Sequence, residues 1–129
     1  MRMATNELPM RIDTEGATAR QQTDFGDASK CGAMGAEFFA MKQGADLAPL
    51  LKGLERDLCE SPHWGYLVRG ALTVGFADGT EEHPRAGDVF YWPPGHTVKA
   101  TEDAEFVLFS PQHEHSPVIE HVKGRLEGK

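Results

Sequence analysis

GDVFYWPPGH, Gly87 to His96, reads as turn, strand, break. Gly87 and Asp88 are turn formers. Val89 to Trp92 is a run of β-branched and aromatic residues that suits a strand. Pro93-Pro94-Gly95 ends it, because proline has no N–H to give to a ladder. Successive side chains of a strand point to opposite faces, so VFYW carries bulky groups on both. One barrel interior takes only one of those sets, so the other needs a second sheet or a second subunit to cover it.

The same rhythm of short strands and turns extends outward. His63 to Val68 is a strand, Arg69-Gly70 a turn, and Ala71 to Phe76 a strand. ADGT, Ala77 to Thr80, is an Asp-Gly hairpin signal, predicted as a type I′ turn with positive φ at both central residues. Glu81 to His83 leads out of it. Thr97 to Ala100 and Glu105 to Ser110 are further strands, as are Leu8 to Ile12, Ala17 to Gln22 and Gly35 to Met41. Asp46 to Leu58 has leucines at helical spacing interrupted by Pro49 and Gly53, and reads as a loop or short helical turn. A helix opens at Ser110-Pro111 and stops near Gly124, with Pro117 a point where it could split. Nine or ten short strands and one terminal helix predict an all-β sandwich or small barrel. Residues 1–7 are expected to be a flexible N-terminus and 8–129 a single domain.

The net charge of −7 argues against nucleic acid or an anionic membrane surface as partner. No apolar run is long enough to span a membrane, and Met1 to Met10 lacks the apolar centre of a secretory signal. A cytoplasmic setting with Cys31 and Cys59 as free thiols is therefore expected. GAMGAE, Gly32 to Glu37, lacks the order of a phosphate-binding loop, and no serine-nucleophile motif is present.

Gly87, Pro93 and Gly95 resemble the second motif of the cupin superfamily, G-x5-P-x-G-x2-H. HWGYLVRGALTV, His63 to Val74, is similar to the end of its first motif, G-x5-H-x-H-x3-4-E-x6-G, with Gly70 as the closing glycine. The resemblance implies a cupin-type β-sandwich or double-stranded β-helix with a short C-terminal helix. It also implies a homodimer and a small-molecule site at the barrel mouth. The departures lie at the ligand positions. Counting back from Gly70, His63 stands where the resemblance puts a metal-binding Glu, Cys59 where it puts the second His, and Asp57 where it puts the first. Val98 replaces the last His, and His96 comes two residues earlier.

Residues two apart on a strand share a face, so Asp57, Cys59 and His63 share parity, as do His96 and Val98. Cys59, His63 and His96 then offer one thiolate and two imidazoles, donors that suit Zn²⁺ first and Fe²⁺, Cu or Ni²⁺ next. Asp57 is a candidate fourth ligand or a partner that orients an imidazole. Gly65, two past His63, is expected to leave room for a substrate. Each residue also has a plain reading: Cys59 as a small hydrophobe, His63 as a hydrogen-bonded core histidine, His96 as part of a turn. Cys59 as a nucleophile with His63 as its base lacks an evident third group. His83 reads as exposed, and His113, His115 and His121 as helix residues without a joint site. Tyr66, Val68, Phe90 and Trp92 read as core or subunit interface. Two functions follow: a metal-dependent enzyme, of oxygenase or isomerase type, on a small organic molecule, or a non-catalytic module that binds or senses one. No residue is assigned a catalytic role.

Overall fold

Alternation along VFYW sorts the side chains into two layers. Trp92 is buried and Phe90 packs against the core, while Val89 and Tyr91 face out. The computed structural model describes residues 1–128, without the side chain of Cys31. Lys129, the last residue of the expected domain, lies outside the described residues.

The strands are β1 (Met10–Asp13), β2 (Ala17–Gln22), β3 (Met34–Met41), β4 (His63–Arg69), β5 (Leu72–Phe76), β6 (Glu81–Glu82), β7 (Val89–Trp92), β8 (His96–Ala100) and β9 (Ala104–Pro111), followed by helix α1 (Gln112–Leu126). Six form one antiparallel sheet in the order β1-β2-β3-β9-β4-β7, and three form another, β6-β5-β8. The free edge of β8 is closed by the irregular segment 44–59. Leu47 N–H donates to Val98 O at 3.0 Å, and Cys59 N–H donates to His96 O at 2.9 Å. Single 3-10 turns, Ala48–Leu50 and Glu55–Asp57, take up the slack between these two contacts. The inward faces supply the core, including Leu67, Leu72, Val74, Trp92, Phe106 and Leu108. Phe90 stacks on Trp92 with centroids 4.1 Å apart, and Phe39 on Phe106 at 5.4 Å.

Helix α1 runs unbroken through Pro117 to Leu126, past the expected stop at Gly124. The proline removes one N–H, which would have bonded the His113 carbonyl, and both residues lie on the exposed side. The buried stripe His115, Val118, Ile119, Val122 has the i, i+3, i+4, i+7 spacing of a one-sided helix. No described helix is long and apolar enough to cross a membrane.

Two expectations are corrected. The Asp-Gly turn is not type I′: Gly79 alone has positive φ, +86°. Gly79 N–H bonds Phe76 O, and Phe76 N–H bonds Thr80 O, both at 2.9 Å, which describes a type I turn followed by a left-handed glycine. Asp78 Oδ1 accepts from Thr80 N–H at 2.9 Å, an Asx turn that stabilises this form. The four residues read as core or subunit interface divide, with Phe90 and Trp92 inside and Tyr66 and Val68 exposed on the outer face, and this does not contradict that reading. Lastly, Gly65 leaves no room for a substrate. A Cβ there would lie 2.3 Å from Val107 O and 2.5 Å from the Phe90 ring.

That crowding gives a direct test of the packing. Gly65→Ala must displace a backbone carbonyl, which cannot swing aside as a side chain can. We expect a loss of about 1–3 kcal/mol, read as a lower urea midpoint. An unchanged midpoint would contradict the inward packing of β4 on β9.

Candidate metal centre

Three of the four residues singled out from the sequence come together. Cys59, His63 and His96 are each buried, and their donor atoms lie within 4.8 Å of one another. His63 opens β4 and shares the inward face with Leu67. His96 opens β8 and shares its face with Val98 and Ala100. Cys59 pairs with His96 through backbone bonds in both directions, His96 N–H returning to Cys59 O at 3.1 Å. That bridge fixes the thiol beside the imidazole.

Asp57 is not part of the group. Arg56 and Asp57 both adopt left-handed φ, +57° and +56°, so the chain turns there and the parity that linked Asp57 to Cys59 is lost. Its carboxylate is exposed and accepts from Gly53 N–H at 3.0 Å. His83 and His113 are exposed, and His121 bonds Lys52 O.

Two buried groups that the sequence did not single out border the cluster. Glu37, fully buried on β3, accepts from Ser110 Oγ at 2.7 Å and from Gln21 Nε2 at 2.9 Å, and its Oε2 lies 2.6 Å from His115 Nδ1. Ser110 Oγ in turn lies 2.6 Å from His63 Nδ1. The His63 and His115 rings are 4.2 Å apart and nearly perpendicular. Both signals were available. Glu37 is a charge at inward parity in the apolar strand GAEFFAM, and His115 heads the stripe that buries α1. What the sequence lacked was the pairing that brings β3, β9 and α1 to one point.

The donors fit a divalent ion. His63 Nδ1 is held by Ser110, and His96 Nδ1 donates to Pro93 O at 2.8 Å, which leaves both Nε2 atoms free as acceptors. His63 Nε2 is 3.6 Å from Cys59 Sγ. A tetrahedral zinc ion with Zn–S near 2.3 Å and Zn–N near 2.0–2.1 Å holds such a pair roughly 3.5 Å apart. The anchoring of each far nitrogen is what metal-binding histidines require. The group forms one wall of a cavity of about 80 Å³ whose other walls are apolar, among them Phe39, Met41, Leu51, Phe106 and Ile119.

Electrostatics separate the imidazoles. Burial by itself pushes the Cys59 thiol up, but hydrogen bonds with His115 and His96 and the charge on those rings outweigh it, bringing the thiol from 9.0 down to about 6. Burial pushes His115 down, yet the Glu37 charge, hydrogen bonds with Cys59 and Glu37, and the thiolate charge raise it from 6.5 to about 10. Burial, followed by the charges of His115 and His96, holds His63 well below its usual range, so it is neutral. Without metal, the cluster is a thiolate–imidazolium pair beside a carboxylate.

No protein-family profile and no curated protein matches the chain. Solved structures do match. Oxalate decarboxylase from Lactobacillus farciminis, in complex with formate, superposes with a TM-score of 0.59 and 21% identity over 84% of this chain and 31% of that one. KdgF from Halomonas sp. gives 0.56 and 21% over 84% of this chain and 90% of that one. A protein of unknown function from Streptococcus pyogenes gives 0.55 and 14% over 76% and 75%. This chain thus spans less than a third of the decarboxylase and nearly all of KdgF. The fold is the cupin fold, as the two half-motifs implied.

The ionisations set a pH profile for the metal-free protein. Cys59 is depressed in the fold, so its stabilisation is present above 9.0 and is lost as pH falls through about 6. His115 is raised, so its stabilisation is present below 6.5 and is lost as pH rises through about 10. Between 6.5 and 9.0 the two changes cancel, because folded and unfolded chains each hold one proton on the pair. His63 adds to the acid loss, since it stays neutral in the fold and charges when unfolded. We expect the urea midpoint to have a plateau over that range and to fall on both sides. Cys59→Ser should turn the plateau into a slope, the midpoint falling as pH rises above 6.5 because nothing then offsets His115, and a plateau kept in that variant would contradict the pairing.

Proposed function

We propose that this protein is a metal-dependent cupin that acts on a small organic molecule in the barrel cavity, with Cys59, His63 and His96 holding a divalent ion. The observation that carries the reading is the convergence of three buried donors, each imidazole anchored at its far nitrogen, on the wall of an apolar cavity. Zn²⁺ suits the thiolate and imidazoles best, with Fe²⁺ or Ni²⁺ as further candidates. Such an ion supplies Lewis acidity, or with iron a site for oxygen chemistry, and the reaction is of isomerase or oxygenase type.

The chain's own residues prepare the cavity. Leu51, Phe106 and Ile119 exclude water from it. Ser110 and the Pro93 carbonyl hold the two rings. Two further lining residues carry buried polar atoms without a partner, Trp92 Nε1 and Thr97 Oγ1. An unmet buried N–H or hydroxyl is costly, so these atoms favour a ligand with a hydrogen-bond acceptor. Oxalate, named for one structural neighbour, is a dianion. The described cavity lining includes neither Lys nor Arg, so a compact and largely apolar molecule suits it better.

A non-catalytic binding module is the second reading. The set contains two histidines but a thiol in place of the carboxylate that non-haem iron oxygenases use, which favours binding over oxygen chemistry. A reducing compartment such as the cytoplasm suits either reading, because Cys59 must remain a thiol. We also read Trp64, Tyr66, Val89, Tyr91 and Phe109, exposed on the outer face of the large sheet, as the surface a second copy covers. Light scattering should then give a dimer at micromolar concentration, and a monomer would reject that assignment.

Metal uptake tests the main reading. Reduced protein incubated with Zn²⁺ or Fe²⁺ and desalted should retain one ion per chain by elemental analysis. Cys59→Ser and His96→Ala should each lower occupancy while the β-sheet circular dichroism persists. No uptake by the reduced wild-type protein would end the metal reading and leave the binding module.

A further inference from the structure

Gln21, Glu37, Ser110 and His63 form a chain of hydrogen bonds whose direction is fixed by what each group can donate. None of the four is more than 2% exposed, so they must be satisfied inside the protein. The direction is set at Arg11. A guanidinium can only donate, and Arg11 Nη1 bonds Gln21 Oε1, so the Gln21 amide nitrogen faces Glu37. Gln21 Nε2 donates to Glu37 Oε2 at 2.9 Å, and His115 Nδ1 meets the same oxygen at 2.6 Å. Ser110 gives its one hydroxyl hydrogen to Glu37 Oε1 at 2.7 Å. The hydroxyl then has none left for His63, whose Nδ1 is 2.6 Å away. Nδ1 must therefore carry the N–H, and in a neutral imidazole Nε2 is then a bare lone pair. That atom lies 3.6 Å from Cys59 Sγ.

We propose that Glu37 is a positioning residue of the metal centre: acting through Ser110, it fixes His63 in the tautomer that carries its proton on Nδ1 and presents Nε2 to the ion. The ion rests on the metal reading above, whereas the tautomer rests on the hydrogen-bond chain alone.

A Cys59 thiolate pulls the other way, since it favours a proton on Nε2. The distances decide between the two. With the proton on Nε2, the lone pairs of Nδ1 and Ser110 Oγ would face each other at 2.6 Å unless Ser110 abandoned Glu37. Losing that short, buried, charge-assisted bond outweighs a contact with sulfur at 3.6 Å. His96 reaches the same tautomer more simply, because the Pro93 carbonyl on its Nδ1 can only accept. A carbonyl cannot be inverted, but a hydroxyl donates in either direction. Something must set the direction of Ser110, and this gives the buried charge of Glu37 a function.

Glu37→Gln keeps the shape and reverses the chain. Gln21 and His115 both donate at Oε2, so the amide oxygen of the variant sits there and its nitrogen faces Ser110. Ser110 then accepts from position 37 and donates to His63 Nδ1. The imidazole proton moves to Nε2, where it blocks the metal.

The experiment reads tautomer and affinity separately. Long-range proton–nitrogen NMR correlations of the histidine rings, in reduced metal-free protein, show which nitrogen of His63 is protonated. Chelator competition gives the Zn²⁺ affinity. The proteins are the wild type, Glu37→Gln, Ser110→Ala and the exposed control His113→Ala. We expect the wild type and the control to carry the His63 proton on Nδ1 and to bind Zn²⁺ alike. Glu37→Gln should move the proton to Nε2 and weaken Zn²⁺ binding about 10- to 100-fold. Ser110→Ala should let both tautomers appear and also weaken binding. A role in packing alone would leave the tautomer of folded Glu37→Gln protein unchanged, and that result overturns the proposal. A switched tautomer with unchanged affinity overturns it too. So does a wild-type His63 protonated on Nε2, a measurement that needs no variant to fold. Failure of the metal reading shows itself separately, as no Zn²⁺ uptake by a wild type whose His63 carries its proton on Nδ1, and overturns the role at a metal centre.

Discussion

The structure turns on a carboxylate with no access to water. Glu37 sits on β3 between strands that are otherwise apolar inward, and each of its hydrogen-bond partners comes from a different element: Gln21 from β2, Ser110 from β9, His115 from α1. In a low-dielectric interior each of these bonds is strong and the loss of any one is costly. The large sheet and the helix can therefore meet in only one way. A shifted register between β3 and β9 would carry Glu37 to the solvent side and strand Ser110 and His115 without it. The polar chain thus specifies the arrangement, while the apolar core around Phe106, Leu108 and Ile119 supplies most of the driving force.

The site inherits its order from that chain. Ser110 relays the Glu37 position to His63, and the Pro93 carbonyl performs the same task for His96 at the Pro-Pro-Gly turn. Cys59 is placed differently. It lies on the irregular segment beside β8 and is located by a reciprocal backbone bridge to His96. The donors are thus fixed by a side-chain network on one side and by main-chain geometry on the other. His115 and His63 differ in charge although their rings are 4.2 Å apart. His115 lies against Glu37 and keeps its proton, while His63 is isolated by burial and loses it.

Much of the fold was legible because strands report themselves locally. Alternation in VFYW, the glycines at 70 and 87 and the proline-glycine break at 93–95 each act within a few residues, and the helix stripe does too. Parity placed His63 and His96 inward for the same reason. It failed at Asp57, where two successive left-handed residues interrupt the strand, a backbone choice that Arg56-Asp57 does not announce. It failed again at Gly65, where the space a missing side chain leaves is filled by Phe90 and a neighbouring carbonyl. Glu37 and His115 escaped notice for another reason. Each is conspicuous in its own element, but their meaning lies in a contact between positions 78 residues apart.

Those separations also bear on how the protein folds. The bonds of the polar chain span 47 residues from His63 to Ser110, 73 from Glu37 to Ser110 and 78 from Glu37 to His115. Such links form only after most of the loop entropy has been lost, whereas the β5–β6 hairpin closes early. Until β3 and β9 zip together and α1 docks, the Glu37 carboxylate stays hydrated and α1 has nothing to hold His115 against. The centre is therefore assembled at the end of folding, and a chain that presents all its donors together has already completed its topology.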